Sequence, residues 1–249
     1  TSSCISVNAQ VVISQIYGGG GNTGAVYTND FIELYNNGST PQDLTGWSVQ
    51  YASATGTTWA VTPLTSVTLQ PNQYYLIQQA AGTNTIAALP TPDATGTIAM
   101  SGSTGKVILA NVITAQSGTN PTGSQIIDKV GFGTTPNGFE GSGPTGTALT
   151  NSTSAFRKNS GCIDTNDNAN DFQVSTPVAR NTASPLGTCT PLSIKSNSIS
   201  GLTMYPNPLK GNTLFITSTA NAEMNVKIYN VLGKEVLSTK VNNTSVDVS

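Results

Sequence analysis

Histidine is absent from all 249 residues. That absence alone removes Ser-His-Asp and Cys-His nucleophile arrangements, the usual zinc sites and nucleases that work through an imidazole. Charge is scarce as well: Asp, Glu, Lys and Arg make up 9% of the chain, against roughly 25% in an average soluble domain. The first Lys or Arg is Lys106, so the segment before it cannot build a groove that tracks phosphates, and nucleic acid is not an expected partner. No apolar run approaches the roughly 18 residues that span a bilayer. The N-terminus also lacks the charged and apolar regions of a signal peptide, so a removed export signal is expected before Thr1.

What fills the chain instead is Gly, Thr, Ser and Asn between regular runs of Val, Ile, Leu and Tyr. Disorder pairs low hydrophobicity with high net charge, whereas the net charge here is -2. Nine β-type runs are separated by turn residues: Val11 to Tyr17, Phe31 to Tyr35, Trp47 to Tyr51, Thr57 to Val61, Tyr74 to Gln78, Val107 to Ala110, Ile126 to Phe132, Ala155 to Lys158 and Phe172 to Val174. With no amphipathic helix among them, they predict an all-β sandwich or barrel. Phe31, Glu33 and Tyr35 alternate with Ile32 and Leu34, the pattern of a half-buried strand. Composition shifts near Thr190, which gives a body over residues 1–190, a Ser-rich linker over 191–200 and a small β domain over 201–249. In that domain strands are expected at Leu214 to Thr217, Asn225 to Tyr229, Val236 to Thr239 and Ser245 to Val248.

Val11 to Asn22, Thr28 to Asn36, Leu44 to Tyr51, Tyr75 to Ile77, Thr91 to Ala94, Val130 to Gly133, Phe139 to Gly141 and Gly161 to Arg180 together resemble the bacterial lamin-tail domain. The resemblance implies an immunoglobulin-like β-sandwich. Such domains occur in secreted bacterial proteins, often beside a hydrolase or nuclease domain that supplies the chemistry, and no such domain lies within these residues. The Gly18 to Gly21 run reads as a wide turn or bulge. Trp47 is expected to plug the space between sheets, with Trp59 also placed in the core.

Tyr205-Pro206-Asn207-Pro208, Gly211 and Tyr229-Asn230-x-Leu232-Gly233-Lys234 resemble the type A sorting domain of the type IX secretion system of Bacteroidetes. The resemblance implies passage through the periplasm and a large outer-membrane translocon, recognition by shuttle proteins, and display on the outer surface of a Gram-negative cell, with a surface glycolipid or polysaccharide as a further partner. Pro206 and Pro208 should give a rigid strand start. The family pattern continues with a final strand beyond Ser249, so an incomplete small sandwich is expected.

Several patterns suggest chemistry without sustaining it. Gly19-x-Gly21-x-x-Gly24 has the letters of a dinucleotide fingerprint, yet it leads to a strand and not a helix. Ser103-Thr104-Gly105-Lys106 has the letters of a Ser-x-x-Lys nucleophile, but in a Gly-rich turn. Asp30, Glu33, Asp43, Asp93 and Glu140 could pair for glycoside hydrolysis only by meeting in space, and their scatter points to ordinary surface and turn roles. The Asp164 to Asp171 stretch could wrap Ca2+ through Asp164, Asn166, Asn168 and Asp171, or could simply be a turn. No other cofactor and no catalytic site are expected. Among Cys4, Cys162 and Cys189, a Cys4–Cys189 bridge would tie the ends of the body together, with Cys162–Cys189 as its rival. The function that follows is a surface-displayed structural or adhesive module. Its alternatives are a carbohydrate binder using Trp59, Tyr51, Tyr74 and Tyr75, and a secreted hydrolase.

Overall fold

A computed structural model describes residues 11–189, 201–219, 223–242 and 244–248. The chain divides into two compact units, Thr1–Cys189 and Thr190–Ser249. In the first, β1 (Val11–Tyr17), β2 (Asn29–Asn36), β3 (Gln42–Asp43), β4 (Ser48–Ala52), β5 (Ala60–Pro63), β6 (Thr68–Leu69), β7 (Tyr74–Ala81) and β8 (Ala94–Thr95) are followed by β9 (Gly105–Ala110) and β10 (Ile126–Phe132). Then come β11 (Ser154–Arg157), a single-turn helix α1 (Asn168–Asp171) and β12 (Phe172–Ser175). They form a six-stranded sheet in the order β12-β11-β1-β2-β7-β8, a four-stranded sheet in the order β10-β9-β4-β5 and a separate antiparallel pair of β3 with β6. Every pairing is antiparallel except that of β7 with β8.

Between the sheets lies one core, in which Ile13, Ile32, Leu34 and Ile77 from the larger sheet meet Val49, Val107, Leu109 and Val130 from the smaller. This is the immunoglobulin-like sandwich that the resemblance implies, and of the sandwich or barrel that the strand runs predict it is the sandwich. Trp59 is the more deeply buried tryptophan, but it sits in a satellite cluster with Ala52 and Ile108, where its indole N–H donates to the Gly118 carbonyl at 3.0 Å. Trp47 is only half-buried at the margin of the main core, so it is not the plug its size suggests.

β2 is buried on both faces, where alternation predicts one. The reason is a strap without regular structure, residues 176–189, laid over the outer face of the larger sheet. Gln15 holds it through both groups of Val178, and the Asp93 carboxylate accepts from the Thr182 N–H and hydroxyl. Glu33, which points outward, accepts from the Arg180 N–H and guanidinium, and Arg180 lies over Tyr74 with its central carbon 3.7 Å from the ring centroid.

The strap ends in a disulfide between Cys162 and Cys189, with Cα atoms 5.4 Å apart. The preferred Cys4–Cys189 pairing is therefore replaced by its rival, because strap and α1 loop both converge on the Tyr35 and Tyr74 end of the sheet. Cys4 lies outside the described residues, as does the 191–200 linker.

In the second unit β13 (Thr203–Tyr205), β14 (Thr213–Thr217) and β17 (Thr244–Asp247) form one sheet in the order β13-β14-β17. β15 (Met224–Tyr229) and β16 (Glu235–Val241) form a hairpin. Ile216, Met224, Val241 and Val246 make a small core between them.

Candidate functional site

Where charge is rare, its placement is informative. Arg157 on β11 is fully buried at the centre of a group of carboxylates. Its guanidinium reaches Asp128 at 2.7 Å, Asp164 at 3.0 Å and Asp171 at 3.4 Å, while its Nε donates to the Ile13 carbonyl at 2.8 Å. Asp128 also accepts from the Ile13 N–H at 2.6 Å, so this one carboxylate ties β10 to β1 across the sandwich. Burial alone would lower the Arg157 pKa, but Asp128, Asp164 and Asp171 outweigh it and raise the value.

Glu140 stands beside them. One oxygen each from Asp128, Glu140 and Asp164 lies within 4.8 Å of the others, the closest approach to a metal-ligand set among the described residues. Burial, then the Asp128 charge, pushes the Glu140 pKa up to about 9, so it carries a proton at neutral pH. Asp164 is raised by the same two causes. A cluster of this kind can hold charge apart from water, and the resident Arg157 already supplies the counter-charge.

Of the four residues expected to wrap Ca2+, only Asp164 belongs to that trio. Asp171 accepts from Arg157, from the Thr165 N–H and hydroxyl and from the Asp167 N–H. Asn168 accepts from the Gly131 and Glu140 N–H groups and donates to the Lys129 carbonyl. Asn166 takes a left-handed backbone, with φ of 54°. The Asp/Asn stretch thus turns its oxygens towards its own backbone, the Gly131 and Glu140 N–H groups and Arg157, a structural use of these side chains.

Apart from Glu140, which meets Asp128 and Asp164, the scattered carboxylates engage separate partners. Asp30 accepts from the Gly20 and Met100 N–H groups, and burial raises its pKa to about 6. Glu33 holds Arg180, Asp93 holds Thr182, and Asp43 bonds Thr45 at the surface. The Gly18 to Gly21 run serves close packing: a Cβ on Gly18 would stand 2.2 Å from the Ser101 carbonyl oxygen and one on Gly20 2.1 Å from the Asn29 carbonyl carbon. Lys106, of the Ser-x-x-Lys letters, sends its ammonium to the Gly56 and Thr119 carbonyls and to Asn137. Nor do the aromatic residues form a sugar platform, since Trp59, Tyr74 and Tyr75 are buried and Tyr51 is half-buried.

The other candidate site is the sorting motif. Tyr205 closes β13 and stacks on Phe215 with centroids 5.1 Å apart, so Pro206 to Pro208 follow a strand and do not open one as expected. Gly211 takes φ of 83° in the turn before β14. Tyr229 ends β15, and Asn230 to Lys234 form the hairpin tip, where the Asn230 side-chain oxygen accepts from the Leu232 and Lys234 N–H groups at 3.0 Å each.

A lamin tail domain model matches residues 5–155. The chain belongs to the lamin tail domain family. A second model, a secretion system C-terminal sorting domain, matches residues 203–249 and covers every motif residue just described. No curated protein matches the chain. The lamin tail domain is an immunoglobulin-like fold, and the sorting domain makes this a secreted or cell-surface protein that interacts with the type IX secretion machinery.

The lamin-tail match ends at Ala155, yet Arg157, α1 and the strap complete the sandwich beyond it. Sequence reading misses Asp128 and Arg157 because their partners lie far apart in the chain. One signal was present: Arg157 is one of five basic residues in the body and falls inside a predicted strand.

Proposed function

We propose that this protein is a non-enzymatic structural or adhesive module, displayed on the outer surface of a Gram-negative cell by export through the periplasm and the type IX translocon. The observation that carries the reading is the pairing of a sorting domain, its motif residues largely exposed, with a sandwich whose buried charges are engaged by its own chain. Support for a non-catalytic body comes from the absence of histidine and from four of the five scattered carboxylates, Asp30, Glu33, Asp43 and Asp93, each holding a separate structural partner.

Deleting residues 190–249 in the producing bacterium tests the route. The truncated body should accumulate in the periplasm, detected by fractionation and surface protease accessibility, and undiminished surface display would refute the assignment. Turnover of a polysaccharide or phosphodiester by the purified body would overturn the non-enzymatic part.

A further inference from the structure

The hairpin tip of the sorting domain spends polar chemistry to hold apolar side chains in water. Asn230 N–H donates to the Lys234 carbonyl at 3.0 Å, Gly233 N–H donates to the Asn230 carbonyl at 2.9 Å, and the Asn230 side chain caps two further N–H groups. Gly233 takes φ of 78°, a left-handed conformation that suits glycine. The turn is thereby fixed without any help from its two central side chains. Those are Val231, 102% exposed, and Leu232, 88% exposed. Turns of this type accept polar residues at both places, so neither backbone nor packing within the domain calls for aliphatic ones.

Scattered exposed aliphatics are ordinary, but two adjacent ones at a preorganised tip are not scattered. Tyr229 and Val236, 54% and 58% exposed, flank them and widen the apolar surface. Beside the tip Lys227 is paired with Glu235, whereas Lys234 makes no ion pair with any described carboxylate. An aliphatic pair with one unmatched cation at its base fits an apolar pocket with an acidic rim. A bilayer suits it less well, because two side chains bury too little apolar area for stable anchoring.

We infer that Val231 and Leu232 form a knob that inserts into an apolar, acid-rimmed pocket on a protein of the secretion machinery. This rests on reading the tail as the export signal. Rigidity of the turn lowers the ordering cost of docking, and burial of the two side chains supplies the affinity.

The test expresses the full chain in the producing bacterium as wild type, as V231S/L232N, as V231I/L232M and with residues 190–249 deleted, and compares surface and periplasmic fractions. The polar pair suits the turn and leaves the fold intact, which a melting curve of the purified chain checks. Surface display of V231S/L232N should fall about tenfold or more, while V231I/L232M is displayed like wild type. Normal display of V231S/L232N alongside retention of the deletion overturns the knob and leaves the export reading standing. Retention of both double variants would overturn it too, since apolar character would not be the determinant. Normal display of the deletion overturns the export reading and the knob with it. Purified wild type that floats with phosphatidylethanolamine/phosphatidylglycerol vesicles when V231S/L232N does not would assign the knob to membrane in place of a protein pocket.

Discussion

The body and the tail handle polarity in opposite ways. In the body, Arg157, Asp128, Asp171, Glu33 and Lys106 are buried and engaged, and among the described residues the large exposed hydrophobic side chains are Ile86, Ile113, Val174, Val178 and Leu186. In the much shorter tail the ion pairs Lys227–Glu235 and Lys240–Glu223 lie at the surface, and nine large hydrophobic side chains are exposed among the described residues. Buried charges with several partners fix one arrangement of distant strands, whereas exposed pairs contribute little to stability. The contrast is that of a unit built to persist and a unit built to be recognised.

Breaking the contrast should be most costly at its centre. Replacing Arg157 with Met leaves Asp128, Asp164 and Asp171 without their shared cation, and the body should lose about 3–5 kcal/mol in a denaturant titration. A loss below about 1 kcal/mol would mean that the carboxylates find protons or water instead.

Next comes the bridge. Cys162→Ser should cost about 3 kcal/mol of body stability for a sequence separation of 27. Cys4→Ser should leave the melting temperature unchanged, and equal effects of the two would reinstate the pairing with Cys4.

A further effect is in pH. The folded pKa of Glu140, about 9, lies above its ordinary 4.5, so its ionisation costs the fold. The stability it preserves is fully present below the ordinary value and lost as pH climbs towards 9. Asp30, at about 6 against 3.8, adds the same sign at lower pH. The melting temperature should therefore fall from pH 5 to pH 9, and Glu140→Gln should flatten the part above pH 7; an unaltered slope would contradict this. Titration with millimolar Ca2+ should give no heat, because Asp171 and Asn168 are already engaged by N–H groups and Arg157.

Much of the fold was legible because period-2 patterning and turn residues act locally. β1 and β10 have the bounds that their apolar runs suggest, and four of the five tail strands fall where expected to within two residues, β13 being the one not foreseen. The two-residue strands β3, β6 and β8 carry too little pattern to be read. The outer burial of β2 depends on a strap more than a hundred residues away, and no local rule reports it. The sorting motif was legible as letters, but the exposure of Val231 and Leu232 required the hairpin. The Arg157 cluster was the least legible, since it assembles residues from β10, β11, α1 and two loops.

The disulfide at the end of the strap also sets a route for force. Tension applied to the chain beyond Cys189 passes through the bridge to Cys162 and on to β11, so residues 163–188 lie off the load path. Hauling this protein by its tail would pull on β11, the strand next to the edge of a six-stranded sheet, through a covalent shortcut. Arg180, within the unloaded segment and paired with Glu33 on β2, would keep its partner while the chain moved.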